Sequence, residues 1–193
     1  MLYRVYKSFF AEVGMEFNDV VKNRYSVRKF TDEKVSHELI DEILETGRLA
    51  PSGNNNQPTI IYILDEAQIK KLKESSKTKE TRISPAAFRS KQAFLICYDK
   101  TKEVKRPTDK FAFGITDSSI VATYMMLKIT ELGLGSVWVG YFNPASIKET
   151  LGISDNHEVS AILPFGHIHK SSKPDPTAER KPIEEFKMEW ISK

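Results

Sequence analysis

Residues 117–140 read DSSIVATYMMLKITELGLGSVWVG, and the rest of the chain is organised around them. From Asp117 the apolar residues recur every three or four positions, the period of a helix, and Gly133 stops it. This helix is apolar on most of its faces, which predicts burial on more than one side. Residues 136–141 then read as a strand.

Upstream, MEFNDVVKNR (15–24) sets Phe17, Val20 and Val21 at helical spacing and runs into a basic, non-periodic loop, RYSVRKF (24–30). Ser36 predicts an N-cap for HELIDEILETGRLA (37–50), whose Leu39, Ile40, Ile43 and Leu44 share one face. PSGNNNQP (51–58) is turn chemistry throughout. Residues 60–64 read as a short buried strand, and Asp65 with Gln68 as the reciprocal cap of a helix carrying Ile69 and Leu72. The Lys- and Ser-rich stretch 75–91, with Pro85 inside, reads as a loop or mobile lid. Residues 93–98 form a second strand, followed by a charged loop through Pro107.

Downstream, Asn143-Pro144 is an N-cap and N1 pair for a short helix stopped at Gly152, and 159–163 is a fourth strand. From Ile168 the chain is Lys/Pro-rich and ends in the weakly amphipathic PIEEFKMEWI (182–191). Strands alternate with helices but are few and short, which favours an α+β sandwich with a central sheet over a doubly wound nucleotide fold. Neither G-x-G-x-x-G nor G-x-x-x-x-G-K-S/T occurs, and there is no internal repeat.

The 193 residues suit one domain, and 40% hydrophobic content is enough to bury a core, which excludes disorder for the chain as a whole. A net charge of +3 is too small and too scattered for a nucleic-acid stripe, yet a small anion needs only two or three well-placed arginines. The single cysteine, Cys97, forbids an intramolecular disulfide and a Cys-based zinc site and suits a reducing compartment. No apolar run approaches a membrane span. MLYRVYKSFFAEVG (1–14) is broken by Lys7 and does not read as a secretory signal. We therefore expect an N-terminal extension over 1–14, a single domain over 15–193, and a cytoplasmic protein.

Three clusters carry candidate chemistry. Arg24, Ser26 and Arg28 lie at i, i+2 and i+4, so an extended backbone turns all three to one side, and guanidiniums match phosphate or carboxylate oxygens. A solvated basic loop has the same spacing. PSGNNNQP is a polar loop between two prolines whose amides can read the edges of a planar heterocycle, although Asn and Gly are common in any turn. Arg180, in AERKP (178–182), is either a third anion ligand or part of a basic tail. His167 and His169 alternate at a strand end without further ligands at metal spacing, so no metal is expected. Cys97 reads as a buried small hydrophobe and Met125-Met126 as core. There is no G-x-S-x-G elbow and no activated nucleophile, which argues against a hydrolase.

RYSVRKF, RLAPSGNNNQP, DSSIVATYMMLKITELGLGSVWVG and RKP, in that order across residues 15–183, resemble the flavin-dependent nitroreductase family. The resemblance implies a nitroreductase-like α+β fold with a central mixed or antiparallel sheet flanked by helices. It also implies a homodimer with two FMN molecules at the subunit interface and a C-terminal tail exchanged across it. Carried over, Arg24, Tyr25, Ser26 and Arg28 hold the FMN phosphate, ribityl chain and pyrimidine edge, and Arg180 completes the phosphate site. Ser52, Gly53, Asn55 and Gln57 lie against the ring, partly from the partner subunit, and Val139 and Gly140 bring backbone near N5. Arg28 is the candidate cation beside N1/O2.

The implied activity is ping-pong reduction of nitroaromatics, quinones or similar small acceptors by NADH or NADPH through the flavin, with no catalytic acid, base or nucleophile required of the protein. A reductive dehalogenase and a flavin-binding sensor without turnover are the alternatives. Three positions depart from the family pattern: Thr59 stands where an aromatic residue often follows Gln-Pro, Val139 where some relatives have an acid, and Ala178 where some have a base.

Overall fold

The computed structural model describes residues 15–175 and 178–188; the extension 1–14 and the last residues of PIEEFKMEWI lie outside them. Among the described residues six α-helices, α1 (Phe17–Asn23), α2 (His37–Arg48), α3 (Glu66–Ser75), α4 (Gly114–Glu131), α5 (Pro144–Leu151) and α6 (Ile183–Phe186), accompany four strands, β1 (Thr59–Leu64), β2 (Gln92–Asp99), β3 (Leu134–Ser136) and β4 (His157–His167). The strands form one antiparallel sheet in the order β1-β2-β4-β3. The only parallel pairing described is a single bridge, Ser26 to Ser136, at the outer edge of β3.

Alternation along β2 assigns the helices to their layers. Ala93, Leu95 and Cys97 face one side, with Ile69 and Leu72 of α3 and Ile147 of α5. Phe94 and Ile96 face the other, with Ile40 and Ile43 of α2 and Ala122, Met125 and Ile129 of α4. Phe94 stacks on Phe165 with ring centroids 4.2 Å apart. The local signals act as expected at three caps: Ser36 accepts from Leu39 N, Asp65 and Gln68 form the reciprocal capping box, and Asn143 accepts from Ser146 N at 3.2 Å ahead of Pro144. Gly152 closes α5 in the left-handed region at φ 67°.

Five expectations need correction. The predicted strand over 136–141 ends at Ser136, because the ladder meets Pro164, which has no N–H to give; Val137 N donates to Pro164 O, and only Val139 pairs fully again, with Ile162. The strand predicted over 159–163 is the longer β4. It carries Ser160 as an extra residue where the register slips between Ile96 and Cys97, and Ser160 Oγ bonds back to Ile96 O and to Ser118 Oγ.

The long helix starts at Gly114, three residues before Asp117, at a position where a Cβ would run into the Tyr98 ring. In a single chain it buries one face only, leaving Ile115 and Tyr124 exposed. The stretch 75–91 is not a free lid: Ile83 and Ala87 are buried, Ile83 N donates to Ser76 Oγ, and Ser84 N donates to Tyr141 O. Two apolar anchors inside a polar stretch are too sparse to show as periodicity.

Candidate functional site

RYSVRKF continues the sheet past β3. Val27 N donates to Ser136 O at 2.9 Å, Thr31 N donates to His167 O at 2.9 Å, and the buried Val27 side chain packs so tightly that Gly135 has no room for a Cβ. With Val27 turned inward, Ser26 and Arg28 on either side of it turn outward, the alternation the sequence predicts. Arg28 Nη1 folds back onto Ser26 O at 3.3 Å. Tyr25 OH reaches Ser172 Oγ at 3.4 Å and so ties the segment to the start of the tail.

Arg180, 156 positions after Arg24 in the sequence, acts on it electrostatically: burial first, and then the like charge of Arg180, hold the Arg24 guanidinium below its ordinary pKa. Two cations that feel each other's charge in this way are an arrangement an anion would relieve.

Val139 and Gly140 lie on the same edge of the sheet. Val139 is buried, and its N–H and C=O are both engaged with Ile162, at 2.9 and 3.0 Å, so it has no backbone donor left for a ligand. Gly140 is exposed, and among the described residues its N–H has no protein partner; the Trp138 indole stands 3.3 Å from where a Cβ on Gly140 would sit. Two arginines of the 75–91 stretch border this edge: Arg89 Nη1 donates to Arg28 O at 3.3 Å, and Arg82 lies over the Tyr141 ring. Sequence reasoning missed Arg82, Arg89 and Trp138. Arg82 and Arg89 are single cations in a basic loop, and Trp138 reads as one more apolar residue of a strand.

The amide loop is elsewhere. Ser52 Oγ accepts from Gln57 N at 3.0 Å, Asn55 N donates to Ser52 O, and Gln57 Nε2 reaches Asn55 Oδ1 at 3.2 Å. Asn54, Asn55 and Gln57 adopt φ of 49°, 55° and 48°. Asn tolerates this region, but for Gln57 it costs about 1–2 kcal/mol, and such strain concentrates where backbone is shaped for recognition. Gly53 N donates to Asp117 Oδ1 at 3.0 Å, and Asn56 Nδ2 donates to Lys102 O at 3.1 Å. Beside the loop, Ser52, Gln57, Thr59, Ile61, Val121 and Met125 line a cavity of about 320 Å³.

The two clusters do not meet in one chain. The loop precedes β1 at one edge, and Ser26 pairs outside β3 at the other, four strand spacings away, or about 19 Å. Along the strands, the Ser136–Phe165–Gln92 row and the Thr59–Tyr98 row are six residues apart, about 20 Å. The anion site with Gly140 and the amide loop therefore occupy diagonal corners of the sheet. A larger groove of about 850 Å³ along α5 holds Lys148, Asp155 and Glu158 and none of the sequence motifs.

Cys97 belongs to neither corner. Burial, helped by the Glu158 charge and opposed by Lys148, pushes its thiol up to about 12, so it stays protonated and inert.

Residues 21–167 match the model of the Nitroreductase family. The crystal structure of a nitroreductase family protein from Clostridium difficile 630 superposes with a TM-score of 0.79 at 36% identity, covering 90% of this chain and 98% of that one. An Archaeoglobus fulgidus protein, whose name pairs NADH dehydrogenase with NAD(P)H nitroreductase, is 30% identical over 153 residues, 77% of this chain and 83% of its own. The Bacillus subtilis (strain 168) FMN reductase using NAD(P)H is 27% identical over 180 residues, 86% of this chain and 72% of its own.

Proposed function

Since the chain belongs to the nitroreductase family, we propose that it is an FMN-dependent NAD(P)H oxidoreductase that reduces nitroaromatics, quinones or similar small acceptors. The observation that carries this is the sheet edge that turns Ser26 and Arg28 outward, exposes Gly140 and is tied by Tyr25 OH to the tail that carries Arg180; Arg24 and Arg180, like charges that feel each other, gain from a phosphate between them. FMN, when bound, would supply the hydride chemistry, which the protein's own side chains lack.

Arg24 and Arg180 neutralise the phosphate, and Tyr25 ties the arginine segment to the tail that delivers Arg180. Ser26 adds a hydroxyl donor for the ribityl chain. Arg28 would hold positive charge for the pyrimidine edge, and Arg89 braces its backbone. Gly140 presents a backbone N–H without a side chain to crowd the ring; Val139, whose polar backbone is engaged, fixes its position. None of these groups needs to give up or take a proton near neutral pH.

The diagonal placement supports a homodimer. The loop residues Ser52, Gly53, Asn55 and Gln57 reach a ring held at the arginine corner only from a second copy. Exposed apolar side chains suit such packing: Phe17, Ile115 and Tyr124 on helices, Leu49 just past the end of α2, and Ile183, Phe186 and Met188 on a tail able to cross to the partner. Among the described residues no helix is long and apolar enough to cross a membrane. The single buried thiol suits the reducing cytoplasm in which we place the enzyme.

The test is an absorption spectrum of the purified protein titrated with FMN, then with NADH or NADPH without oxygen, then with an acceptor. Bound flavin bands that bleach with the nicotinamide and return with a nitroaromatic or quinone are expected. A protein that binds no FMN overturns the proposal, and bound flavin that never bleaches reduces it to a binding protein.

A further inference from the structure

Asp117 is the fourth residue of α4 and is 3% exposed, on the helix face that also buries Ser118, Ala122, Met125 and Ile129. A carboxylate in that company is costly unless something fixes its use. A helix N-terminus favours an acid, but it does so equally well at an exposed position of the first turn. The Asp117 carboxylate makes no bond to its own helix among the described residues. Its Oδ1 accepts instead from Gly53 N, 64 positions away, at 3.0 Å, and its Oδ2 is buried with no protein partner.

Gly53 is the first residue of the short 3₁₀ turn Gly53–Asn55, immediately ahead of the left-handed residues Asn54, Asn55 and Gln57. A Cβ on Gly53 would press on Val104 at 3.2 Å and lie 3.7 Å from Asp117 Oδ2, so the backbone approaches the carboxylate closely from one side and the 102–113 segment from the other. Asn56 Nδ2 bonding Lys102 O is the second tether of the same loop. The adjacent Ser118 fixes the β4 bulge through Ser160, so the start of α4 is anchored to the sheet and the carboxylate hangs from a rigid support.

We infer that Asp117 is a positioning residue for ring recognition: through Gly53 it holds the strained amide loop in the shape that presents Ser52, Asn55 and Gln57 to the flavin ring. The inference rests on the FMN-binding function proposed above. It separates Asp117 from a general stabiliser, because the loop serves the ring while the arginine corner serves the phosphate. Loss of the clamp therefore weakens the hold on the ring and leaves the phosphate contact alone.

The test measures the dissociation constant of FMN by flavin fluorescence, and of inorganic phosphate by competition, for wild type, Asp117→Ala and Asp117→Asn. Asp117→Ala is expected to raise the FMN dissociation constant by about 10- to 100-fold, with phosphate unchanged within about twofold. Asp117→Asn keeps an oxygen acceptor for Gly53 N–H and is expected to recover to within about threefold of wild type. An Asp117→Ala protein that binds FMN like wild type, or that loses FMN and phosphate in parallel, overturns the inference.

Amide hydrogen exchange on the wild-type protein needs no variant to fold. Gly53 N–H exchanging much more slowly than Asn54 N–H is expected, and equal exchange at the two overturns the clamp. Failure of wild type to bind FMN would instead overturn the proposed function and leave the Gly53 exchange result standing.

Discussion

The two corners of the sheet are built on different principles. The arginine corner is assembled by pairing: RYSVRKF lies along β3, the tail folds back onto it, and the charges converge from positions 24 and 180. The loop corner is assembled by local strain: six consecutive residues shape themselves through Ser52, Asn55 and Gln57, with three left-handed backbones, and are held by one buried carboxylate. Under the proposed function the first is an anion holder that long-range topology delivers. The second is a preformed recognition edge that would keep its shape as long as its support did. Standing diagonally apart, each is half of the proposed site in one chain.

The comparison breaks first on charge. Replacing Arg24 and Arg180 together by Ala removes two charge-assisted contacts, each worth about 1.5–3 kcal/mol, so FMN affinity should fall by about 10²- to 10⁴-fold in a fluorescence titration. Because the two guanidiniums repel without an anion, the cofactor-free variant should melt no lower than wild type. A marked fall in its melting temperature would mean that the corner is structural.

The loop answers with the opposite sign in stability. Gln57→Gly relieves a left-handed backbone at a small cost in chain entropy, so it should be neutral or stabilising by up to about 1 kcal/mol in urea. Losing the amide side chain should still weaken FMN by about tenfold. Loss of stability together with affinity would show that the strain is not stored there for recognition.

A third charge cluster, outside both corners, serves as the control. Lys100 by hydrogen bond, against the cost of partial burial, and then Lys148 hold the Glu158 carboxyl below its ordinary range. A depressed folded-state pKa gives stability that is complete above the unfolded carboxylate range and is lost as pH falls through the folded value. Glu158→Gln should thus flatten the acid limb of a stability profile between about pH 5 and 3, by less than about 1 kcal/mol because the pair is partly exposed. FMN affinity at pH 7 should stay within about twofold of wild type.

Much of each corner was legible residue by residue, and their relation was not. Alternation about Val27 predicts that Ser26 and Arg28 share a side, and the turn chemistry of PSGNNNQP predicts a polar loop; both follow from local rules. Caps at Ser36, Asp65 and Asn143 were legible for the same reason. The order β1-β2-β4-β3 is set by which strand ends meet across long separations, and no local pattern encodes that the loop and the arginines end at opposite edges. Asp117 reads from the sequence as nothing more than a helix start; its partner is 64 positions away. Resemblance points to both Val139 and Gly140; the Ile162 pairing engages the Val139 N–H and C=O, and among the described residues Gly140 N–H has no protein partner. Pro164 ended a strand early from across the ladder, an effect invisible in the strand it shortens.

The most direct measurement mixes the corners. A chain carrying Arg24→Ala and Arg180→Ala, and a second carrying Ser52→Ala and Gln57→Ala, are co-expressed with different tags, and the heterodimer is purified through both. In a composite site the first chain lends its intact loop to the second chain's intact arginines. The heterodimer should bind one FMN per two chains near wild-type affinity, while each parent binds weakly. A heterodimer no better than its weaker parent, or tight binding of FMN by an isolated monomer, would contradict the account.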